Sequence, residues 1–183
     1  MKLMIVRHGE TIENTQGIVQ GHLHGTLSEL GKTQAKKVAD KLKKEKIDYI
    51  YSSDLARAAD TAKEIAKFHP KTPIKFVKEL RERFFGPFQG KKKSDFGLSN
   101  KESLSKIIKD EKEKGVESPQ DFYNRAKKFL DKIVRKHPKG IVLFVGHNGI
   151  NKAIINVINK KSPEEVFSGE NLDNASISIF EIN

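Results

Sequence analysis

The hydrophobic residues of the chain alternate between short continuous runs and stretches with helical spacing. Continuous apolar runs, which are typical of buried strands, lie at residues 2–6, 48–51, 73–77, 141–145 and 175–182. Apolar residues recur every three or four positions, as in helices that pack one face on a core, at residues 28–45, 54–68, 122–133 and 150–158. Ser52 or Ser53 is predicted to cap the second of these helices, and Ser162 to begin a further short one. Strands that alternate with helices predict an α/β three-layer sandwich with a mostly parallel central sheet.

The length of 183 residues fits one domain, residues 1–183, and the composition marks no linker within it. Residues 91–119 differ from the rest, because they are rich in lysine and glutamate and contain few large apolar side chains. This stretch is predicted to form surface helices or a variable, mobile lid.

The net charge of +11 favours an anionic partner, such as a phosphorylated metabolite, a nucleic acid or a membrane surface. Lysines mixed with glutamates along the predicted helices weaken the case for nucleic acid, and a solvated lysine-coated surface explains the charge equally well. The absence of cysteine excludes disulfides, thiolate metal sites and a cysteine nucleophile. No apolar window is long enough for a membrane span or a signal peptide, and we expect a cytoplasmic protein.

Charged residues that suit an anion site fall near the carboxyl ends of the predicted strands, where ligands bind in open α/β sheets. Arg7 and His8 follow the first strand, and Arg57 lies in the first turn of the helix after the second strand. Glu82 follows the third strand after a short connection, and His147 directly follows the fourth. Two arginines, two histidines and nearby helix N-termini predict a pocket for a phosphoryl group, whose oxygens arginine can bind in pairs.

These residue types can together transfer a phosphoryl group. His8 is placed where an imidazole nitrogen can attack phosphorus, and Gly9 lets the backbone turn and the phosphate approach closely. Glu82 can give a proton to the leaving oxygen and later take one from water. The remaining basic residues, which can stabilise charge on the transferring oxygens, are Arg7, Arg57 and His147.

Each of these residues also has a structural explanation. A single histidine at a strand end is more often structural than catalytic, and Arg57 alone could form an ion pair on a helix surface. Glu82 alone, between two arginines, could be a solvated charge, and Asn14 could be an ordinary loop cap. Their joint placement at strand ends is what favours the catalytic interpretation.

Metal binding is a further alternative for four of the histidines. These are His8 and His147 at the strand ends and the closely spaced pair His22 and His24. The usual cluster of carboxylates does not lie near either pair in the sequence, which favours a site without a metal ion.

A series of short blocks in this chain resembles those of the histidine phosphatase superfamily, also called phosphoglycerate mutase-like. In chain order the blocks are RHGET at 7–11 followed by Asn14, QG at 20–21, LSxxGxxQA at 27–35, SSxLxRxxxTA at 52–62, LRERFFGxxQG at 80–90, VGHNG at 145–149 and NxS at 174–176. Arginine-histidine-glycine alone is a weak signal, whereas this many blocks in the right order are highly specific. The similarity runs nearly end to end and is weakest over residues 91–119.

The resemblance implies a phosphohistidine at His8, with Glu82 as proton donor and acceptor and without a metal ion. The phosphate pocket that it implies is formed by Arg7, Asn14, Arg57 and His147. The residues to which we assign substrate contacts are Gln20, Gly21, Arg83 and Asn148. A phosphatase of this family would need no cofactor, and a mutase would need 2,3-bisphosphoglycerate.

Both main activities of the family, phosphatase and mutase, are compatible with these blocks. The ERFFG segment at 82–86 resembles the mutase version, although mutases usually carry histidine and tyrosine at the positions of Phe84 and Phe85. The stretch 91–119 lacks the paired arginines that mutases use, the chain is shorter than typical cofactor-dependent mutases, and the NxS block is phosphatase-like. We therefore predict a phosphomonoester hydrolase that acts on small phosphorylated metabolites, with a phosphoglycerate mutase as the alternative.

A non-catalytic anion- or RNA-binding module is the second alternative, although a degenerate member would be expected to lack at least one of the chemically essential residues, all of which are present. The substrate itself is not specified by the blocks. Phe84, Phe85 and Phe88 either line an apolar wall beside the phosphate or belong to the core. The lysines at 91–93 either recruit a second anionic group or are solvated. No membrane partner is predicted, and the oligomeric state is left open.

Overall fold

The computed structural model describes residues 1–100, 102, 104–106 and 114–182. The strands of this part of the chain are β1 Lys2–Arg7, β2 Tyr49–Ser53, β3 Ile74–Val77, β4 Ile141–Gly146 and β5 Ile177–Glu181. The α-helices are α1 Ile12–Thr15, α2 Glu29–Leu42, α3 Ala56–Ala66, α4 Pro119–Lys136 and α5 Asn148–Ile158. Short 3₁₀ turns lie at Lys78–Leu80, Gly86–Phe88, Lys93–Phe96, Leu104–Lys106 and Pro163–Glu165.

The strands form one sheet in the order β3-β2-β4-β1-β5, in which only β5 runs antiparallel to its neighbour. The inner strands β1 and β4 are buried on both faces, which explains why their sequences are continuously apolar rather than alternating. Their carboxyl ends lie side by side, since Arg7 at the end of β1 is paired with Gly146 at the end of β4. The residues that follow these strands therefore meet at one edge of the sheet.

Helices cover both faces of the sheet, so the α/β sandwich predicted from the sequence is confirmed. Successive residues of β1 alternate between the two cores, with Leu3 and Ile5 on one face and Met4 and Val6 on the other. The first core receives the apolar faces of α4 and α5, and the second receives those of α2 and α3. No helix in the described part of the chain is long and apolar enough to cross a membrane.

The predicted strands and helices all occur, with small shifts at their ends, but the predicted cap of α3 is wrong. The N-cap residue is Leu55, which makes no side-chain cap hydrogen bond, while Ser52 and Ser53 are the last residues of β2. The Ser53 hydroxyl instead lies 2.8 Å from His147, which makes it part of the site at the sheet edge. The turn after Ser162 is a 3₁₀ turn with a capping box, so the predicted short helix is present in that tighter form.

The stretch at 91–119 is only partly described, because residues 101, 103 and 107–113 lie outside the described residues. Its described part contributes to a third apolar cluster, which consists of Val19, Phe85, Leu98, Leu104 and Val116. Backbone pairing between Ile18 and Lys92 further joins this stretch to the loop that follows α1. The described part is therefore packed against the body of the protein, and its action as a lid stays a prediction.

Candidate active site

A cavity of about 460 Å³ opens at the edge of the sheet where β1 ends. The residues of the sequence-predicted site that line it are Arg7, His8, Asn14, Gln20, Arg57, Glu82 and Asn148. These side chains come from segments that are far apart in the chain, and the sheet topology brings them to one place. The other predicted site residues, His147, Gly21 and Arg83, do not line the cavity in this structure.

The ring of His8 is buried and held in one tautomer. Its Nδ1 lies 2.6 Å from the carbonyl oxygen of Gly9, and because a carbonyl can only accept, Nδ1 carries the proton. The Nε2 lone pair is then available for attack on an electrophile. Burial, followed by the charges of Arg57 and Arg7, lowers the pKa of His8 well below its usual value, so the imidazole is neutral at neutral pH.

The loop that carries His8 is packed unusually closely against the start of α2. A Cβ atom on Gly31 would lie 1.9 Å from the Glu10 carbonyl oxygen, and one on Gly9 would lie 2.4 Å from the Gly31 carbonyl oxygen. Two glycines are therefore required for this approach, since any side chain would push the backbones apart. The Asn174 amide also donates to the His8 carbonyl oxygen at 3.0 Å, which holds the loop from the side of β5.

His147 lies behind the wall of the cavity, next to His8, with 5.1 Å between the ring centroids. Its Nδ1 accepts a hydrogen bond from Nε of Arg57 at 3.1 Å, so the ring proton is on Nε2, which donates to the Ser53 hydroxyl at 2.8 Å. Burial and the charge of Arg57 lower the pKa of His147 well below its usual value. Both ring nitrogens are thus engaged by protein groups.

Arg57 is fully buried and connects His147 to the loop before α2. Besides its bond to His147, its guanidinium donates to the carbonyl oxygens of Leu23, His24 and Gly21. Burial lowers the pKa of Arg57 to about 10, which still leaves the group charged at neutral pH. Gly21 therefore contributes its backbone carbonyl to the site, and it contacts Arg57 rather than the cavity.

Arg7 offers a donor that the protein itself leaves unused. One terminal nitrogen of its guanidinium donates to the Leu172 carbonyl oxygen, whereas its buried Nε has no hydrogen-bond partner in the described structure. A buried unpaired N–H group is costly, so its presence at the cavity indicates a place for an anionic ligand. Gln20 lines the same cavity, and its buried Oε1 likewise has no hydrogen-bond partner in the described structure.

The carboxylate of Glu82 faces the cavity and is fixed by two backbone amides. Its Oε1 accepts from the Arg83 amide at 2.8 Å, and its Oε2 accepts from the Gly149 amide at 2.9 Å in the first turn of α5. A side chain on Gly149 would clash with the carboxylate, because a Cβ there would lie 2.1 Å from Oε1. Glu82 and His8 thus line the same cavity although they lie far apart in the sequence.

Two amide side chains complete the lining. The side chain of Asn14 accepts a hydrogen bond from the Thr11 amide at 3.1 Å, in the capping box at the start of the short helix α1. Asn148 accepts from the Leu172 amide at 2.9 Å and donates to the side chain of Asn171. Both amides are therefore held in defined orientations at the cavity.

The structure does not bring Arg83, to which a substrate contact was assigned, to the cavity. Its side chain is fully buried, donates to the Glu117 carbonyl oxygen and the Ser105 hydroxyl, and lies over the ring of Phe167. Although it is next to Glu82 in the sequence, its side chain points away from the cavity, where its hydrogen bonds to Glu117 and Ser105 hold it. Arg83 therefore holds this loop in place in the structure, and its contact with substrate stays a prediction.

Sequence reasoning left the functions of Ser53 and Lys93 unresolved. Ser53 has no signal of its own apart from its place in the SSxLxR block, and only the fold shows its contact with His147. Of the three consecutive lysines at 91–93, only Lys93 lines the cavity, where its ammonium group donates to the Asn100 carbonyl oxygen at 2.7 Å. Phe85 also lines the cavity and is buried, so both interpretations of this phenylalanine hold at once.

The histidines at 22 and 24 do not form a chelating pair. Nε2 of His22 lies 2.9 Å from the Glu82 carbonyl oxygen, and Nδ1 of His24 accepts from the Ala56 amide at 3.4 Å. Among the residues that the structure describes, no group of three or more histidine or acidic side chains is arranged to hold a metal ion.

The buried histidines predict a protein that loses stability in mild acid. Burial is the largest cause of a lowered pKa at His8, His22, His69, His137 and His147. A group with a lowered folded-state pKa binds its proton more readily when unfolded, so its stabilising effect is complete above about pH 6.5 and is lost as the pH falls. Between about pH 6.5 and 5.5, two histidines that stay neutral in the folded chain together lower the free energy of unfolding by about 2 kcal/mol, because the unfolded chain takes up the protons that the buried rings of His8 and His147 do not.

Urea unfolding at about pH 7.5, 6.5 and 5.5 will measure this effect, and the window lies above the usual pKa range of most carboxylates. A His147→Asn variant should show a smaller loss between the two lower values, because one buried imidazole has been removed. A free energy of unfolding that stays constant across the range would contradict the prediction.

Comparisons with known proteins agree with this architecture. The model of the Histidine phosphatase superfamily (branch 1) matches residues 3–183. A metal-independent phosphoserine phosphatase of Arabidopsis thaliana is 34% identical over 183 residues, covering 97% of this chain and 75% of the relative. Phosphoglycerate mutase-like protein 4 of the same plant is 32% identical over 186 residues, covering 99% of this chain and 79% of the relative.

The solved structure of the alpha-ribazole phosphatase from Shigella flexneri superposes with a TM-score of 0.86 and 26% identity, covering 100% of this chain and 91% of that one. The similarity thus extends over the whole sheet and both helical layers. The family and the fold that the sequence predicted are confirmed. The chain belongs to the histidine phosphatase superfamily and is a phosphoryl-transfer enzyme.

Proposed function

We propose that this chain hydrolyses small phosphomonoesters through a phosphohistidine at His8, without a metal ion or other cofactor. The observation that carries the proposal is the arrangement around His8: a neutral imidazole with a free Nε2, beside an unpaired Arg7 Nε and in the same cavity as Glu82. His8 is the nucleophile, Arg7 supplies a hydrogen-bond donor for the anionic phosphoryl group, and Glu82 carries the proton, which are the three roles that phosphoryl transfer requires.

The phosphoryl group binds to donors that the protein leaves available. Arg7 supplies its Nε, and Arg57 supplies one further N–H, because four of its five are used by His147 and three carbonyl groups. The Asn14 side chain lies at the same wall of the cavity. Buried positive charge in this position stabilises the transferring oxygens more strongly than it would in water.

In the first step, Nε2 of His8 forms a bond to phosphorus while the bond to the ester oxygen breaks. Protonated Glu82 gives its proton to the leaving oxygen, so an alcohol departs and a carboxylate remains. The Gly9 carbonyl stabilises the phosphorylated ring, which is cationic as long as Nδ1 keeps its proton. In the second step, Glu82 takes a proton from water, the hydroxide oxygen bonds to phosphorus, and His8 leaves as neutral imidazole.

His147 acts mainly through Arg57 in this scheme. Its Nδ1 accepts from Nε of Arg57, which fixes the plane of the guanidinium, and its Nε2 proton is held by Ser53. A direct contact between His147 and the phosphoryl group would require one of these hydrogen bonds to be exchanged. The neutral ring that burial favours is suited to accepting from Arg57.

The substrate that the cavity suits is a small phosphomonoester with a second anionic group. The volume of about 460 Å³ lies within the range of ordinary metabolite sites. Lys93 gives the cavity a cation outside the phosphate pocket, with ammonium hydrogens left beyond its one bond to Asn100. The phosphoserine phosphatase activity in the name of the Arabidopsis relative fits such a substrate, since phosphoserine carries a carboxylate.

The charges of the cavity favour hydrolysis over mutase activity. Among described residues, the cationic side chains that line it are Arg7, Arg57 and Lys93, and the carboxylates are Glu10, Glu82, Glu102 and Asp173. A mutase has to hold a doubly phosphorylated intermediate, which requires more positive charge around the second phosphate. The burial of Arg83 away from the cavity removes one cation that could have met this need.

The test is a paired assay on one preparation. The protein is incubated with 3-phosphoglycerate, with and without 2,3-bisphosphoglycerate, while free phosphate and 2-phosphoglycerate are both followed. We expect phosphate release without isomer formation, whereas isomer formation stimulated by the bisphosphate would make the protein a mutase. A parallel panel of phosphomonoesters should show higher kcat/KM for esters that carry a carboxylate than for neutral esters of the same size.

A further inference from the structure

Arg125 of helix α4 crosses from the helix to the loop that carries Glu82. One terminal nitrogen of its guanidinium donates to the carbonyl oxygens of Glu79 and Arg81, at 2.7 and 2.9 Å. The other terminal nitrogen donates to the carbonyl oxygen of Glu82 at 3.2 Å. A single side chain thus binds three backbone carbonyls within four residues of the chain.

The guanidinium is itself fixed by Glu117. Its Nε donates to one carboxylate oxygen at 2.8 Å, and a terminal nitrogen donates to the other at 2.7 Å, in a bidentate ion pair whose side chains are 20% and 15% exposed. Glu117 is joined to the same loop by backbone hydrogen bonding, because its amide donates to the Phe84 carbonyl oxygen at 2.9 Å. All five N–H groups of Arg125 are therefore used.

The loop needs such support because it has no regular structure of its own. Residues 81–85 lie between the 3₁₀ turns Lys78–Leu80 and Gly86–Phe88 and belong to no strand or helix. The carboxylate of Glu82 accepts hydrogen bonds from the backbone amides of Arg83 and Gly149, and its backbone carbonyl accepts one from Arg125. The position of the carboxylate relative to the cavity therefore depends on both supports.

We propose that Arg125 is a positioning residue for proton transfer by Glu82. It does not line the cavity and contacts neither His8 nor the phosphate pocket, so its effect on the reaction passes through the backbone of Glu82. A general acid displaced by about 1 Å can lose about 10²-fold in rate, which makes a rigid loop valuable here. The inference rests on the proposed role of Glu82.

Lysine cannot replace arginine in this position. The planar guanidinium directs its donors along fixed directions, and the three carbonyls together with the Glu117 carboxylate surround it on all sides. An ammonium group has three donors at one point and would leave at least two of these acceptors unbonded. Charge alone is therefore insufficient, and Arg125→Lys should behave more like Arg125→Met than like the unmodified protein.

The experiment compares kcat/KM for two esters, an alkyl phosphate and p-nitrophenyl phosphate. The alkoxide leaving group needs a proton, whereas the nitrophenolate leaves readily without one. We expect Arg125→Met and Arg125→Lys to lose about 10–100-fold on the alkyl ester and less than about 3-fold on the aryl ester. Inhibition by vanadate should be unchanged, because the substitution does not touch the phosphate pocket.

The matched control is Arg135→Met, on an exposed turn of the same helix, which should leave kcat/KM on both esters unchanged.

A double-mutant cycle with Glu82→Gln separates the inference from the proposed function. If Arg125 acts through Glu82, the double variant should be no slower on the alkyl ester than Glu82→Gln alone. Equal losses on both esters for Arg125→Met, or full additivity with Glu82→Gln, would overturn the inference and leave Glu82 in its role. Equal losses on both esters for Glu82→Gln itself would instead overturn the assignment of Glu82, and the inference with it.

A purely structural effect is checked by urea unfolding of each variant. If Arg125→Met does not fold, Arg125→Lys and Glu117→Gln carry the test, since each weakens the ion pair without removing the loop's other contacts. Selective loss on the alkyl ester in either variant supports the inference, and equal loss on both esters overturns it.

Discussion

Replacing His8 with alanine is expected to abolish phosphoryl transfer, with kcat/KM falling by roughly 10⁴–10⁶-fold, as when the nucleophile of a covalent mechanism is removed. The reason is specific to this site. Nδ1 of His8 is committed to the Gly9 carbonyl, and no second imidazole can take its place because both nitrogens of His147 are engaged. The phosphate pocket of Arg7 and Arg57 remains, so binding of an anion alone cannot restore turnover.

The measurement is turnover of p-nitrophenyl phosphate, together with trapping of the phosphorylated protein by acid-free quenching and mass spectrometry. The unmodified chain should gain one phosphoryl group on His8, and His8→Ala should gain none. His69→Ala is the matched control, since His69 is also a buried histidine but does not line the cavity. Turnover of His8→Ala close to that of the unmodified chain would rule out His8 as the nucleophile.

Replacing Glu82 with glutamine is expected to slow hydrolysis of alkyl phosphates by about 10²–10⁴-fold, because the amide cannot deliver a proton to the leaving oxygen. The loss should be much smaller for p-nitrophenyl phosphate, whose leaving group needs little protonation. The substitution keeps the size of the side chain, and its amide oxygen can still accept from one of the two amides that now hold Glu82.

Parallel measurement of kcat/KM on both esters tests this prediction, and Glu64→Gln is the control. Glu64 lies on the surface of α3, where it pairs with Lys67, and its replacement should affect neither ester. Equal losses of kcat/KM on both esters in Glu82→Gln would assign Glu82 a structural role.

The primary structure determined the layered fold and the position of most of the site. Short continuous apolar runs are typical of strands that are buried on both faces, and neighbouring parallel strands end at the same edge, so residues placed just after them meet there. The rule holds for Arg7 at the end of β1 and His8 just after it, for Arg57 after β2 and for His147 after β4. Their residue types, in the order found, were sufficient to identify the superfamily.

Only the tertiary structure decided which side chains face the cavity and what orients them. Arg83 and Glu82 are neighbours in the sequence, yet Arg83 is buried against Glu117 and Phe167 while Glu82 faces the cavity. Of three consecutive lysines, Lys93 alone reaches the cavity. The direction of a side chain in an irregular loop depends on contacts with distant segments, which no local pattern encodes.

The same reason applies to the groups that hold the reacting residues. The tautomer of His147 is determined by Ser53 and Arg57, which lie 94 and 90 positions away in the chain. Arg125 lies 43 positions from Glu82, and the sequence pattern identifies it only as a charged residue on an amphipathic helix. Local periodicity determines the elements and the residues at their ends, whereas orientation within the site results from long-range hydrogen bonds that form only once the chain has folded.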